Sequence, residues 1–599
     1  MKNPKKFFTV TIVILIMLAA FAVRFYNFHD WLYFKMDQSR DANLISQAIE
    51  NGPGYLPLLG PRAGATEVES GYLRLGPIFY YFQYIAGKLF KSIQPDVLAY
   101  PDLFFSIAVL PLLFLFFRLY FSRRHSLLIL AMYAFSFLII QYSRFAWNPN
   151  SLPFFFILSF YALLKFLNSE SVRKRMAWIA LWSVGIAVGS QLHFFGFFTL
   201  LGASGLLLLF HYQVWKKKEL RELFQKSALK KFAMFAGTAI LFFGLIYTPV
   251  ILSDVMRKGE NAKNFVDALG SKAENKPFLD KIGKSFSENL HYYCLITTSD
   301  CYQSKMEKDL FPIALTAIIL VAGLLLAMRK LWKKTESGMQ RDFLRLFLIW
   351  AGVFFILTIP VSFQLRPRFF IVVFAIPFMA LGLIYQFLEE KYGRKILIVP
   401  LLATAGILLY NAQGTAAWFS EQQKSQSGST DIERTLILKT KDGVTLGQLQ
   451  RVVDYIYSKH NPDANIYYYV KPEHVAPVRY LLELKKDPQM NISPLKVNND
   501  PNAQYFAIAP ADNSLDSLYA KVEGNFNILS AEQFGQLKVY EIDFINRSVS
   551  AEFRFKTNTR KKDRIFWNDV FGTREMKNKF LKSKAMNNEI AEKQFFSLN

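Results

Sequence analysis

Eleven apolar runs, each long enough to cross the ~30 Å hydrocarbon layer of a bilayer, recur through the first two thirds of this 599-residue chain. They lie near residues 7–23, 98–117, 125–141, 151–167, 176–192, 195–213, 232–250, 311–329, 343–360, 369–387 and 395–411. Inside hydrocarbon a segment must satisfy its own backbone polar groups, so a polytopic bundle of α-helices is the expected architecture. With 52% of residues hydrophobic and 16% aromatic, an ordinary soluble globule is excluded. The first run has the charged start and apolar centre of a signal peptide. Its length and the many runs that follow favour an uncleaved anchor.

Lysine and arginine set the expected orientation. Lys2, Lys5 and Lys6 precede the first run, and Arg118, Arg123 and Arg124, then Arg173, Lys174 and Arg175, then Lys216, Lys217 and Lys218 fall in alternate loops. Arg329, Lys330, Lys333 and Lys334 continue the series, followed by Lys391, Arg394 and Lys395. The positive-inside bias places these in the cytoplasm, with the N-terminus, of a multi-pass plasma-membrane protein. Residues 24–97, 142–150, 193–194, 251–310, 361–368 and everything after 412 are then extracytoplasmic. Counting the apolar stretch at 75–90 as a span would invert every later loop. It reads instead as an interfacial or re-entrant helix, with Tyr80, Tyr81 and Tyr84 suited to the headgroup layer. The net charge of +25 needs no nucleic-acid partner, because inside-loop cations face anionic lipid.

Four regions follow: a membrane domain at 1–412 with its first extracytoplasmic loop at 24–97, a Ser/Gln-rich linker at 413–430, a soluble α/β domain at 431–546, and a basic tail at 547–599. In the soluble part, 435–438 and 465–470 read as strands and 445–457 and 474–485 as helices, with alternation continuing at 505–508, 514–522 and 537–542. The tail reads as mobile or surface-lying. Cys294 and Cys301 are the only cysteines, and both sit on the outer side, where a local disulfide is plausible and two free thiols the alternative. The seven histidines show no metal-binding spacing, so no cofactor is expected, although the sequence leaves a divalent metal open.

The chemistry-bearing stretch is FKMDQSRDA at 34–42, where the chain has just left the membrane. Asp37 would sit just before a helix whose apolar stripe is Ala42, Ile45, Ala48 and Ile49 and whose stop is Asn51-Gly52-Pro53. It is a natural N-cap and equally a candidate general base. Asp41, one turn on, can hold Arg40 or a substrate hydroxyl. YSRFAWNPN at 142–150 brings Arg144, Trp147 and Asn148 to the same membrane face, where Trp147 alone would be an interface anchor. His193 occupies a tight turn, as a ligand-binding or a structural histidine. Arg366 and Arg368 flank Pro367; span-end arginines often only snorkel, but outer arginines run against the positive-inside bias and their forks suit a phosphate.

Three of these places resemble the polytopic GT-C glycosyltransferases, and within them glycosyltransferase family 39, the protein O-mannosyltransferase and lipid A aminoarabinose transferase superfamily. MDQSRDA at 36–42 stands where the family has an Asp-Glu pair after its first span. YLRLGPIFYYF at 72–82 resembles its Pro-containing juxtamembrane helix, and RPRFFIVVFAIPFMALG at 366–382 its late Arg-aromatic span. The resemblance covers about residues 7–412 and implies a polyprenyl-phosphate-linked sugar donor and an acceptor hydroxyl on a protein, glycan or lipid. It puts Asp37 in the catalytic position and Arg366 or Arg368 at the lipid phosphate. The family's second acid is Gln38 here, so any role needing that carboxylate falls to Asp41. A polytopic lipid or glycan transporter, which would carry charges in mid-span along a path, is the competing class. A membrane-anchored assembly protein working through its soluble domain is the third.

Overall fold

The structure is a computed structural model describing residues 4–68, 71–217, 225–271, 275–301, 309–428, 430–437, 443–461, 464–485, 491–497, 500–511, 515–522, 524–547 and 564–572. All eleven apolar runs fall on helix. Among the described residues, seven helices are long and apolar enough to cross a membrane. A pair bent by 44°, Pro367–Val373 with Ile376–Tyr392, makes an eighth. The other three runs fall short for local reasons. The third breaks into α5 (Arg123–Ala134) and α6 (Phe137–Tyr142), the fourth, α7 (Leu152–Leu167), has 16 residues, and the fifth, α8 (Val172–Leu192), opens on Arg173, Lys174 and Arg175. At the break, the Phe137 amide donates to Asn411 Oδ1 (2.8 Å) and Ser136 Oγ donates to the Ile296 carbonyl (2.7 Å). Neighbouring helices thus absorb polar groups the broken helix releases.

The first loop folds over this bundle. After α1 (Pro4–Phe25) come α2 (Met36–Asn51), an antiparallel hairpin of β1 (Arg62–Val68) and β2 (Gly71–Arg74), and α3 (Ile78–Phe90). The 13 residues of α3 reach only about 20 Å, too short to span. The stripe on α2 is buried as its spacing requires: Ala42, Ile45, Ala48 and Ile49 all face the core. The helix stops at Gly52, whose φ of 103° suits a residue without a Cβ.

Two boundaries differ from the sequence reading. The expected linker is helical through Ser425, because α16 (Ile398–Ser425) packs its polar end: Trp418, Gln422 and Ser425 are buried, and Gln448 Nε2 donates to the Ser425 carbonyl at 2.9 Å. Tertiary contact overrides a composition that reads as loop. Residues 435–437 form no strand, because Leu436 is engaged by the membrane domain: its amide donates to Gln141 Oε1 at 2.9 Å, and Gln141 Nε2 donates to the Arg434 carbonyl at 2.6 Å.

The C-terminal domain is a five-stranded mixed sheet of order β4-β3-β5-β7-β6, with β3 (Asn465–Val470) parallel to β4 (Ile492–Pro494) and β5 (Ala503–Pro510). The other strands are β6 (Phe526–Phe534) and β7 (Leu537–Phe544), which pair antiparallel. Part of the expected alternation at 514–522 is a short helix, Asp516–Lys521, residue 514 lying outside the described residues. Helices α17 (Leu446–Ser458) and α18 (Val475–Leu484) seat this domain on the first loop. The Leu446 amide donates to the Leu32 carbonyl (2.9 Å), and Tyr480 Oη donates to the Ile93 carbonyl (2.6 Å).

A histidine latch joins the same two parts. His29 Nδ1 lies 3.1 Å from Asp96 Oδ2, and Nε2 lies 2.8 Å from Gln450 Oε1. The hydrogen bond that His29 donates to Asp96 leads in raising the His29 pKa, with help from Gln450 and the Asp96 and Asp30 charges against the cost of burial. A raised folded-state pKa means that this contribution is fully present below about 6.5 and is lost as pH rises through the folded value. Thermal unfolding of wild type and His29→Gln from pH 5.5 to 8.5 checks this. The wild-type advantage is expected at the acid end and should fade as pH rises; a gap constant with pH would contradict it.

Candidate functional site

The site is built from the start of α2 upward. The helix begins at Met36, with Lys35 as its N-cap, so Asp37 lies inside the first turn and not before it. Capping falls to Gln38, whose Oε1 accepts from the Lys35 amide at 3.2 Å. A glutamine at N3 can fill this capping role as a glutamate does. Asp37, relieved of capping, projects a carboxylate that is 54% exposed.

Arg40 joins the two acids. Its Nη1 donates to Asp37 Oδ1 at 2.8 Å, and its Nε donates to Asp41 Oδ1 at the same distance. Asp41 is buried, and the Tyr80 hydroxyl of α3 also donates to its Oδ1 at 2.9 Å. Burial first, then the Asp41 charge, pushes the Tyr80 phenol far above its ordinary pKa, so it stays a donor. Burial works against the Arg40 charge, but Asp41, Tyr80 and Asp37 outweigh it and hold the guanidinium ionised. The result is one fixed carboxylate, Asp41, and one accessible carboxylate, Asp37, bridged by a cation. Tyr80 was expected among the headgroups; it faces inward instead, fully buried.

Arg368 lies within electrostatic range of Asp37. Its guanidinium stacks 5.5 Å from the ring centres of Trp147 and Phe369. Two residues away, Arg366 Nη1 is buried without a hydrogen-bond partner among the described residues. His193 packs its ring 5.6 Å from Phe369, and its Nδ1 accepts from the Phe195 amide as the cap of α9 (Phe194–Tyr212). Asn148 Nδ2 donates to the carbonyl of Leu192, the residue before His193. Asp37, Arg40, Asp41, Asn148, His193 and Arg368 therefore belong to one neighbourhood, with Arg366 beside it.

Arg144 has a different job. Its Nη1 donates to the Arg24 carbonyl and its Nη2 to the Tyr26 carbonyl, both at 2.7 Å, at the end of α1. Free carbonyls and the negative end of a helix dipole are what a buried guanidinium caps well. The fork is thereby committed to backbone and is not presented to a substrate. Cys294 and Cys301 are bonded to each other, closing the end of the helix Phe278–Thr297.

Sequence reasoning missed two supporting groups. Asp102, fully buried near the start of α4 (Tyr100–Phe117), accepts from the Trp147 amide at 2.9 Å and from Ser151 Oγ at 2.5 Å, fixing the loop that carries Trp147 and Asn148. An Asp at a helix start reads as an ordinary cap, so nothing in the sequence marks it. The second comes from the tail. The Leu58 amide donates to the Ile565 carbonyl (2.8 Å) and the Trp567 amide to the Leu56 carbonyl (3.2 Å), so of the two expectations for the tail, mobile or surface-lying, this part is docked on the surface of the first loop. Among the described residues, no group of three or more His, Cys, Asp or Glu side chains is placed to hold a metal ion.

A family model described as dolichyl-phosphate-mannose-protein mannosyltransferase matches residues 14–254, under half of the chain. This bears out the recognition of a GT-C-class polytopic glycosyltransferase. No curated protein matches. Among solved structures, the chain is similar to ArnT from Cupriavidus metallidurans bound to undecaprenyl phosphate at 14% identity, covering 90% of this chain and 98% of that one, with a TM-score of 0.49. It is also similar to the Archaeoglobus fulgidus oligosaccharyltransferase, at 14% identity, 85% and 69% coverage and a TM-score of 0.48.

Proposed function

We propose that this chain transfers a sugar from a polyprenyl-phosphate-linked donor to an acceptor hydroxyl at the extracytoplasmic surface, with Asp37 as general base. The observation that carries the reading is the division of labour between the acids: Asp41 is immobilised by Arg40 and Tyr80, and Asp37 is left accessible in the same hydrogen-bonded chain. In the step, the acceptor oxygen attacks the anomeric carbon and its proton passes to Asp37. The carbon–oxygen bond to the phosphate breaks, and polyprenyl phosphate leaves with the electron pair. A protonated hydroxyl is a poor nucleophile, so a positioned base speeds this step. In this reading Arg366 and Arg368 neutralise the charge growing on the leaving phosphate. The matching family model, whose name carries a lipid-phosphate sugar, agrees with this donor class. The Lys/Arg distribution supports the outer face.

The sugar and acceptor are open to direct assay. Purified protein in liposomes, given a panel of radiolabelled polyprenyl-phosphate sugars and hydroxyl acceptors, is expected to consume one donor class and release polyprenyl phosphate. Flipping of an intact lipid with no bond broken would instead support a transporter.

A further inference from the structure

Residues 564–572 lie against the first loop in a way that reaches the acid cluster. Ile565 and Trp567 bracket an antiparallel bridge between Phe566 and Pro57. Trp567 Nε1 donates to the Tyr81 hydroxyl at 3.0 Å, and that hydroxyl donates to the Pro57 carbonyl at 3.1 Å. Asn568 is buried over Gly54 so closely that a Cβ there would stand 1.9 Å from Asn568 Oδ1. Backbone pairing, an indole anchor and a glycine seat together make this a fitted contact and not a chance one. At its start, the Arg564 guanidinium carbon sits 6.0 Å from the centre of the Tyr80 ring. Tyr80 is the residue whose hydroxyl fixes Asp41.

We propose that this C-terminal segment is a strap that completes the active site, and that Arg564 is a positioning residue acting through Tyr80 on the Asp41–Arg40–Asp37 chain. The cation over the ring face holds the phenol in the orientation that donates to Asp41. Asp41 in turn fixes Arg40, and Arg40 fixes Asp37. Small displacements at a reacting centre are costly, so loss of this support should appear in turnover and not in donor binding. The proposal rests on the glycosyl-transfer reading, and its test separates the two.

Full-length Arg564→Gln, Arg564→Lys and Asp37→Asn are compared in liposomes using the donor that wild type consumes. Arg564→Gln is expected to lose roughly tenfold in kcat with KM unchanged. Arg564→Lys, which keeps the cation, should recover most of the loss. Wild-type kcat in Arg564→Gln beside an inactive Asp37→Asn would overturn the strap's catalytic role while leaving the function standing. Wild-type rates in both would overturn the site itself. Docking is read separately by Pro57→Cys with Phe566→Cys, because facing residues at a bridge of this kind lie close enough for a disulfide. Spontaneous cross-linking with activity retained is expected. Failure to cross-link, or inactivation by the cross-link, would show that the strap is not in place during turnover.

Discussion

Asp37→Asn is expected to fold, insert and bind donor normally while losing transfer by roughly 10²-fold or more, the scale of general-base loss. The substitution keeps size and leaves the Gln38 cap untouched, so a helix-start effect does not confound it. It removes one of the two negative charges paired with Arg40 but keeps an acceptor oxygen, and Asp41 and its bond to Tyr80 remain. Asp41→Asn should behave differently. That site is buried, and an amide there presents a donor toward Arg40 or Tyr80, so lower thermal stability should accompany lower activity. Steady-state rates and unfolding temperatures for the two variants distinguish base from scaffold. An active Asp37→Asn beside a stable but inactive Asp41→Asn would move the base to Asp41.

Arg368→Lys is expected to raise the donor KM by about tenfold to a hundredfold, the equivalent of one to two charge-assisted hydrogen bonds. Lysine keeps the charge but loses the planar fork and the stacking on Trp147 and Phe369. Arg366→Lys should act in the same direction, because it too loses the planar fork. Donor titrations at saturating acceptor decide this. Unchanged KM and kcat in both lysine variants would leave these residues as topological anchors.

The helical bundle was legible because hydropathy is a local signal and the bilayer sets a fixed length. The Asp41–Arg40 contact was legible for the same reason, since neighbours on one helix meet; the Asp37–Arg40 pair was not, because the sequence puts Asp37 just before the helix and the structure puts it inside the first turn. What remained hidden depends on distant partners. Arg144 looks like an outer cation in its own loop, and only the fold shows the carbonyls of α1, about 120 residues earlier, that consume it. Tyr80 carries the same aromatic signal as Tyr84, and its inward turn follows from the docking of α3 on α2. His29 and Gln450 are separated by 421 positions, and the strap reaches Tyr81 across 486. The polar end of α16 reads as linker because sequence cannot show the domain that buries it.

The most direct test of the central claim is an experimental structure of the protein with its consumed donor bound and a non-reactive acceptor present. The phosphate is expected between the Arg366 and Arg368 guanidiniums, with the acceptor hydroxyl within hydrogen-bond reach of Asp37. A phosphate bound at the opposite, lysine-rich ends of the helices, with Asp37 facing neither donor nor acceptor, would contradict the account.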